Sequence, residues 1–92
     1  MILNYIQKIF LVLVFQTFLF PLSYNISGKI LDIETRKPLN DVNVFIPITD
    51  FGTTTNEDGI FLFSIVNIKD KKVSLNIKMI GYEQKKIPVN LL

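Results

Sequence analysis

The segment from Gly52 to Phe61, GTTTNEDGIF, constrains the fold of this chain more than any other part of the sequence. It reads as a short run of β-branched residues, 53–55, then an Asp-Gly turn, then a second β-prone run. An Asp-Gly pair between two strands is a strong hairpin signal, because Gly59 accepts the positive φ that the turn demands. Asp58 can hydrogen-bond the turn backbone. The segment therefore predicts a β-rich domain.

Short alternating patterns continue along the chain after residue 23. The predicted strands are 24–31, 42–46, 53–55, 60–65, 73–79 and 87–91. Gly28 inside the first strand predicts a bulge or a close backbone approach, and Pro88 places the last strand at a sheet edge. Residues 60–65 are apolar on both faces, which predicts a central strand covered on both sides. Because no helical periodicity follows residue 23, we expect an all-β sandwich or barrel.

The N-terminus carries an apolar run, Ile9 to Leu22, with Lys8 as the one charge before it. A membrane-spanning helix needs about 20 apolar residues. This run is shorter and contains Pro21, so a signal-peptide helix over residues 1–23, cleaved after Ser23, is favoured over a retained membrane anchor. We expect the folded domain to cover residues 24–92.

Composition argues against most catalytic and metal chemistry. The chain has no His and no Cys, which removes Ser-His and Cys-His nucleophiles, ordinary zinc sites and disulfides. The net charge of +2 is too weak to indicate a nucleic-acid partner. Carboxylates such as Asp32 or Glu34 with Asp41 are interpreted as solvated loop charges. We therefore predict a protein that is not an enzyme and has no cofactor.

Four phrases in the chain follow a known order. They are ISGKI at 26–30, TRKPLNDVNV at 35–44, GTTTNEDGIF at 52–61 and IGYE at 80–83. Together they resemble the carboxypeptidase-regulatory-like domain over residues 24 to 91. The resemblance implies a transthyretin-like Greek-key β-sandwich of about seven short strands, preceded here by the signal-peptide helix. The motif positions that it marks as structural are Pro38, Leu39, Gly52, Thr55, Asp58, Gly59, Phe61, Gly81 and Tyr82.

Several motif positions have a physical interpretation and an alternative. Gly81 allows a bend that turns Tyr82 inward to cap the core, although Tyr82 could instead be a sugar-stacking platform. Pro38-Leu39 is expected to fold its loop back onto the sheet. Residues 56–58 cluster oxygen atoms, which fits plain turn chemistry better than a calcium loop. The family usually has Gly where this chain has Arg36; a positive φ there would cost Arg about 1 kcal/mol.

The resemblance also implies a function. Such domains are non-catalytic accessory modules, commonly placed just after the signal peptide of SusC-type TonB-dependent outer-membrane receptors. We expect an exported chain in the periplasm or at the outer membrane, touching the membrane only through residues 1–23 if these are retained. Its partner would be a protein or an adjacent domain, contacted by a sheet edge. Since the sequence stops at Leu92 without a plug or barrel, we expect a truncated or split receptor N-terminus. The alternative is a free-standing exported module that binds a glycan or a surface protein.

Overall fold

The computed structural model describes residues 8–20 and 23–91. The strands are β1 Phe10–Phe20, β2 Ser23–Asp32, β3 Asn43–Phe45, β4 Gly52–Thr54, β5 Ile60–Val66, β6 Lys72–Lys78 and β7 Lys85–Asn90. They form a three-stranded sheet of order β1-β2-β5 and a four-stranded sheet of order β4-β3-β6-β7, with antiparallel pairing throughout. The predicted all-β fold of about seven strands is confirmed. In the described ranges, no helix has the length and apolarity required to cross a bilayer.

The core lies between the two sheets and follows from the period of two along each strand. In β2 every second residue is buried, and Ile26 and Ile30 are fully covered. β5, in the same sheet, adds core residues such as Phe61, and β6, in the opposite sheet, supplies facing residues such as Leu75. Each such side chain contributes about 1.5–3 kcal/mol when it leaves water. Burial on one face of each strand therefore sets both the register and the orientation of the sheets.

Gly28 resolves the choice between a bulge and a close approach. The pairing of β1 with β2 runs without interruption through Val14 and Gly28, and the register shift lies elsewhere, between Phe18 and Phe20. A Cβ at Gly28 would collide with the Leu13 carbonyl oxygen and would lie 2.6 Å from the Phe61 ring. Glycine is needed here because the Phe61 ring packs directly against the backbone of β2.

The prediction that residues 60–65 form a central, doubly covered strand is wrong. β5 lies at the edge of the three-stranded sheet, and the side chains of Ile60 and Leu62 are 43% and 63% exposed. No further layer of the described chain packs on the outer face of this sheet, because the remaining strands all belong to the opposite sheet. The edge position predicted for the last strand, from Pro88, is confirmed for β7.

The N-terminal apolar run forms a strand in the described residues. Phe10–Phe20 pairs with β2, whereas a helix was predicted over residues 1–23. Residues 1–7, 21 and 22 of that predicted helix lie outside the described residues. Aromatic and β-branched residues fill the segment, so it has the composition of a strand wherever a pairing edge is available. Cleavage after Ser23 stays a prediction.

Candidate functional site

The Asp-Gly turn of the opening motif is built by Asn56. Its side-chain Oδ1 accepts hydrogen bonds from the backbone N–H groups of Asp58 (2.9 Å) and Ile60 (3.0 Å). The sequence assigned this bonding to Asp58, but the acceptor must precede the amide by two residues to close such a turn. Gly59 has φ 75°, as the turn requires. Because the Asn56 oxygen already serves the turn, plain turn chemistry accounts for residues 56–58.

Thr55 fastens the neighbouring loop to this turn. Its side chain is only 3% exposed; Oγ1 donates to the Leu39 carbonyl oxygen (2.6 Å) and accepts from the Val42 N–H (3.0 Å). The Leu39 N–H in turn donates to the Ile30 carbonyl oxygen of β2 (3.1 Å), and Pro38 forms an isolated bridge with the same strand. The Pro38-Leu39 loop therefore folds back onto the sheet, as its sequence predicts.

Arg36 occupies a left-handed position in the same loop. Its φ is 65°, and its N–H donates to the Asp32 carbonyl oxygen (2.8 Å), closing a turn at the end of β2. A non-glycine residue is strained in this region because its Cβ crowds the backbone. The positive φ on which the predicted cost depends is thus present.

Asp32 is a buried carboxylate, which corrects its interpretation as a solvated loop charge. It is 3% exposed, and Oδ1 accepts from the N–H groups of Glu34 (2.8 Å) and Thr35 (3.1 Å). Oδ2 accepts from the Tyr82 hydroxyl (2.8 Å). Burial of the charge is tolerated because three donors surround it. The sequence signal was weak, since Tyr82 lies fifty positions further along the chain.

The pair has pKa values displaced away from neutrality. The hydrogen bond from Tyr82, followed by that from the Thr35 N–H, lowers the pKa of Asp32. Burial, followed by the hydrogen bond to Asp32, raises the pKa of Tyr82 to about 12. A general acid or base works best with a pKa near the working pH, so an ionised Asp32 beside a neutral Tyr82 suits a structural clamp.

Residues of the N-terminal segment complete this cluster. The Phe10 ring, 1% exposed, stacks on the Tyr82 ring with centroids 4.9 Å apart and planes inclined by 15°. Lys8 Nζ lies 3.9 Å from Asp32 Oδ2 and 5.8 Å from the centre of the Tyr82 ring. Gly81, with φ 89°, provides the bend before Tyr82. One ring face of Tyr82 is therefore occupied by Phe10, which fits a core cap better than a sugar-stacking platform.

Large apolar side chains project from the outer face of the three-stranded sheet. On β1, Leu13 and Phe15 are 45% and 62% exposed; on β5, Ile60 and Leu62 are exposed as well. The register places Leu13, Lys29 and Ile60 in one row across the sheet and Phe15, Ser27 and Leu62 in the next. We call the four apolar residues, Leu13, Phe15, Ile60 and Leu62, the apolar face. In the sequence, the apolar residues on both faces of β5 were the signal for this face, because no second layer of the described residues covers it.

The opposite sheet has a polar outer surface with a shallow groove. Beside Phe45 and Phe51, a depression of about 670 Å³ is lined by polar side chains that include Asn43, Thr54 and Lys78. Two aromatic rings with amide, hydroxyl and ammonium groups around them could contact a polar ligand.

Comparison with known proteins identifies the domain. A family model described as "CarboxypepD_reg-like domain" matches residues 26–91. The chain belongs to this family. No curated protein and no solved structure gives a significant match.

All nine motif residues lie inside the matched part of this CarboxypepD_reg-like domain, whereas the whole of β1 lies before it. Four of them, Pro38, Leu39, Thr55 and Gly59, lie together at one corner of the fold. A Cβ at Gly59 would lie 3.0 Å from Pro38 Cβ and 2.5 Å from the Ile30 carbonyl oxygen. Tyr82 and Gly81 belong instead to the Asp32 cluster. The motif thus marks two sets of contacts that stabilise a β-sandwich interaction module, one at this corner and one around Asp32.

Proposed function

We propose that this CarboxypepD_reg-like domain is a non-catalytic, exported interaction module of the bacterial cell envelope, serving as the N-terminal accessory domain of a TonB-dependent outer-membrane nutrient receptor. The observation that carries the proposal is the family match over residues 26–91. Domains of this family are non-catalytic β-sandwich modules. The apolar run before the domain, preceded by Lys8, supports export.

The apolar face supports contact with another protein. Large exposed apolar side chains grouped on one face of a sheet are typical of sites of interaction. Ile60 and Leu62 belong to the matched domain and stay exposed whether or not residues 1–23 are removed. A neighbouring receptor domain that covered these two side chains would gain about 25 cal/mol for each Å² of apolar surface buried.

Co-fractionation tests the proposal. The full chain, tagged at its C-terminus, is expressed in its native host, and the cells are separated into cytoplasmic, periplasmic and outer-membrane fractions. We expect the chain in the outer-membrane or periplasmic fraction and a TonB-dependent receptor co-purifying with it in comparable amount. A chain found only in the cytoplasm, or one exported without any such receptor, would contradict the proposal.

The groove beside Phe45 favours one alternative, a free-standing exported module that binds a glycan. An aromatic ring flanked by Asn43, Thr54 and Lys78 offers stacking and hydrogen bonding to a sugar ring. Titration of the full chain with a panel of envelope oligosaccharides, monitored by calorimetry, tests this. Binding that Phe45→Ala abolishes and Leu62→Ser leaves unchanged would favour the glycan module; no heat from any sugar would remove it.

A further inference from the structure

Residues 8–20 are attached to the domain by contacts of the kind that a separate peptide makes. β1 lies outside the matched domain, and it pairs with the edge of β2 in continuous antiparallel register from Phe10 with Asp32 to Phe18 with Tyr24. Ladder bonds of this type use main-chain groups alone, so any extended segment can form them. Without β1, the same edge of β2 would present unpaired N–H and C=O groups.

The first residues of this segment are held from both sheets. The Ile33 N–H, just after β2, donates to the Ile9 carbonyl oxygen (3.2 Å). The Glu83 N–H, before β7, donates to the Lys8 carbonyl oxygen (2.9 Å), and the Lys8 N–H donates to the Gly81 carbonyl oxygen (3.5 Å). Residues 8–10 therefore lie in a slot between the end of β2 and the turn at residues 81–83.

Two side chains of this segment, those of Lys8 and Phe10, make contacts at the slot. Phe10 enters the core, where it is 1% exposed and stacked on Tyr82, and Lys8 approaches the buried carboxylate of Asp32 to 3.9 Å. Strand addition obtains affinity from the main chain and specificity from pockets for alternate side chains. Residues 8 and 10 are such an alternate pair, a cation followed two positions later by an aromatic ring.

We propose that the edge of β2 and the slot at residues 81–83 form a strand-acceptor site. Its ligand is an extended apolar segment of a partner protein in which Lys or Arg stands two positions before Phe or Tyr. In the chain described here, Lys8-Ile9-Phe10 and the rest of β1 occupy the site in cis. Cleavage after Ser23 on export would leave the N-terminal fragment bound without a covalent link, so that the partner's segment can exchange with it. The inference rests on the proposed protein-contact function and names the surface that makes the contact.

The experiment starts from the intact chain. A specific protease sequence is inserted between Phe20 and Ser23, the folded protein is cut under native conditions, and native mass spectrometry follows the N-terminal fragment. A synthetic peptide of residues 8–20 with a solubilising C-terminal Lys tail is then added in excess. We expect the fragment to stay bound after cutting and to be displaced by the peptide.

Matched peptides test the selectivity. The Phe10→Ala peptide should displace the fragment at least tenfold less effectively, because it loses the buried aromatic anchor. The Lys8→Glu peptide should also be weaker, since it sets a carboxylate against Asp32. Equal displacement by all three peptides, loss of the fragment without exchange, or unfolding of the cut protein by circular dichroism would each overturn the proposal.

The outcomes also separate this inference from the proposed function. Co-purification of a receptor together with failure of peptide exchange would reject only the strand-acceptor site. Selective exchange without a receptor partner would reject only the receptor assignment.

Discussion

The hydroxyl of Thr55 is the best test of how the family motif stabilises the domain. Thr55→Val removes one oxygen atom at nearly constant volume. The change leaves the main-chain bonds between Thr55 and residues 41 and 42 in place, but it deprives the buried Val42 N–H of its acceptor and the Leu39 carbonyl oxygen of its donor. An unpaired buried polar group costs about 1–3 kcal/mol.

The net effect follows from these two losses and one gain. Val42 is fully buried, so leaving its N–H unpaired should cost the full amount. Leu39 is half-buried, so leaving its carbonyl oxygen unpaired should cost less. The added methyl group returns about 0.8 kcal/mol. We therefore expect Thr55→Val to lower the free energy of unfolding by about 1–3 kcal/mol, a large share of the 3–5 kcal/mol available to a domain of this size.

Urea unfolding followed by circular dichroism measures the loss by linear extrapolation. Thr54→Val is the matched control, because Thr54 is exposed on β4. This substitution should change the free energy of unfolding of the protein by no more than about 0.5 kcal/mol. If the Thr55→Val variant proved as stable as the Thr54→Val variant, the hydrogen bonds of the Thr55 hydroxyl would not stabilise the loop at residues 39–42.

Two further changes probe the loop and the buried pair. Arg36→Gly should raise the free energy of unfolding by about 0.5–1 kcal/mol, because a φ of 65° suits glycine. Arg36→Ala should not raise it, since alanine keeps the Cβ. Equal effects of the two substitutions in urea titrations would reject backbone strain as the cause. Tyr82→Phe should raise the pKa of Asp32 in NMR titrations, because its largest lowering cause is the Tyr82 hydroxyl. Because the pKa of Tyr82 is raised in the folded state, the wild type should lose stability as the pH rises from 10 to about 12. The Tyr82→Phe variant should lose less over this range. Parallel curves of unfolding free energy against pH for the two proteins would contradict this.

Local chemistry made much of the fold predictable. Alternation of apolar residues located β2, β3, β6 and β7, because burial on one face imposes a period of two. A run of β-branched residues located β4, and an apolar run located β5. Gly59 was assigned a positive φ from its turn, and Arg36 was identified as a strained position only because the family has glycine there. Such features depend on neighbours in sequence.

Features that depend on distant residues were missed. Asp32 reads as a solvated charge until Tyr82, fifty positions away, is placed beside it. β5 reads as central because apolar residues on both faces do not show whether a second layer exists. The run at 10–20 was predicted as part of a signal-peptide helix, and periodicity alone cannot separate a helix from a strand in a continuous apolar segment.

Residue-resolved crosslinking in cells tests the central claim, that this domain works by protein contact, most directly. A photoreactive p-benzoylphenylalanine replaces Leu62 on the apolar face in the full chain, and the matched control replaces Thr54 on the opposite sheet. We predict a light-dependent adduct from position 62 to a TonB-dependent receptor and little from position 54. Equal adduct yields at the two positions, or no adduct from position 62 in cells where the chain is exported, would contradict the account.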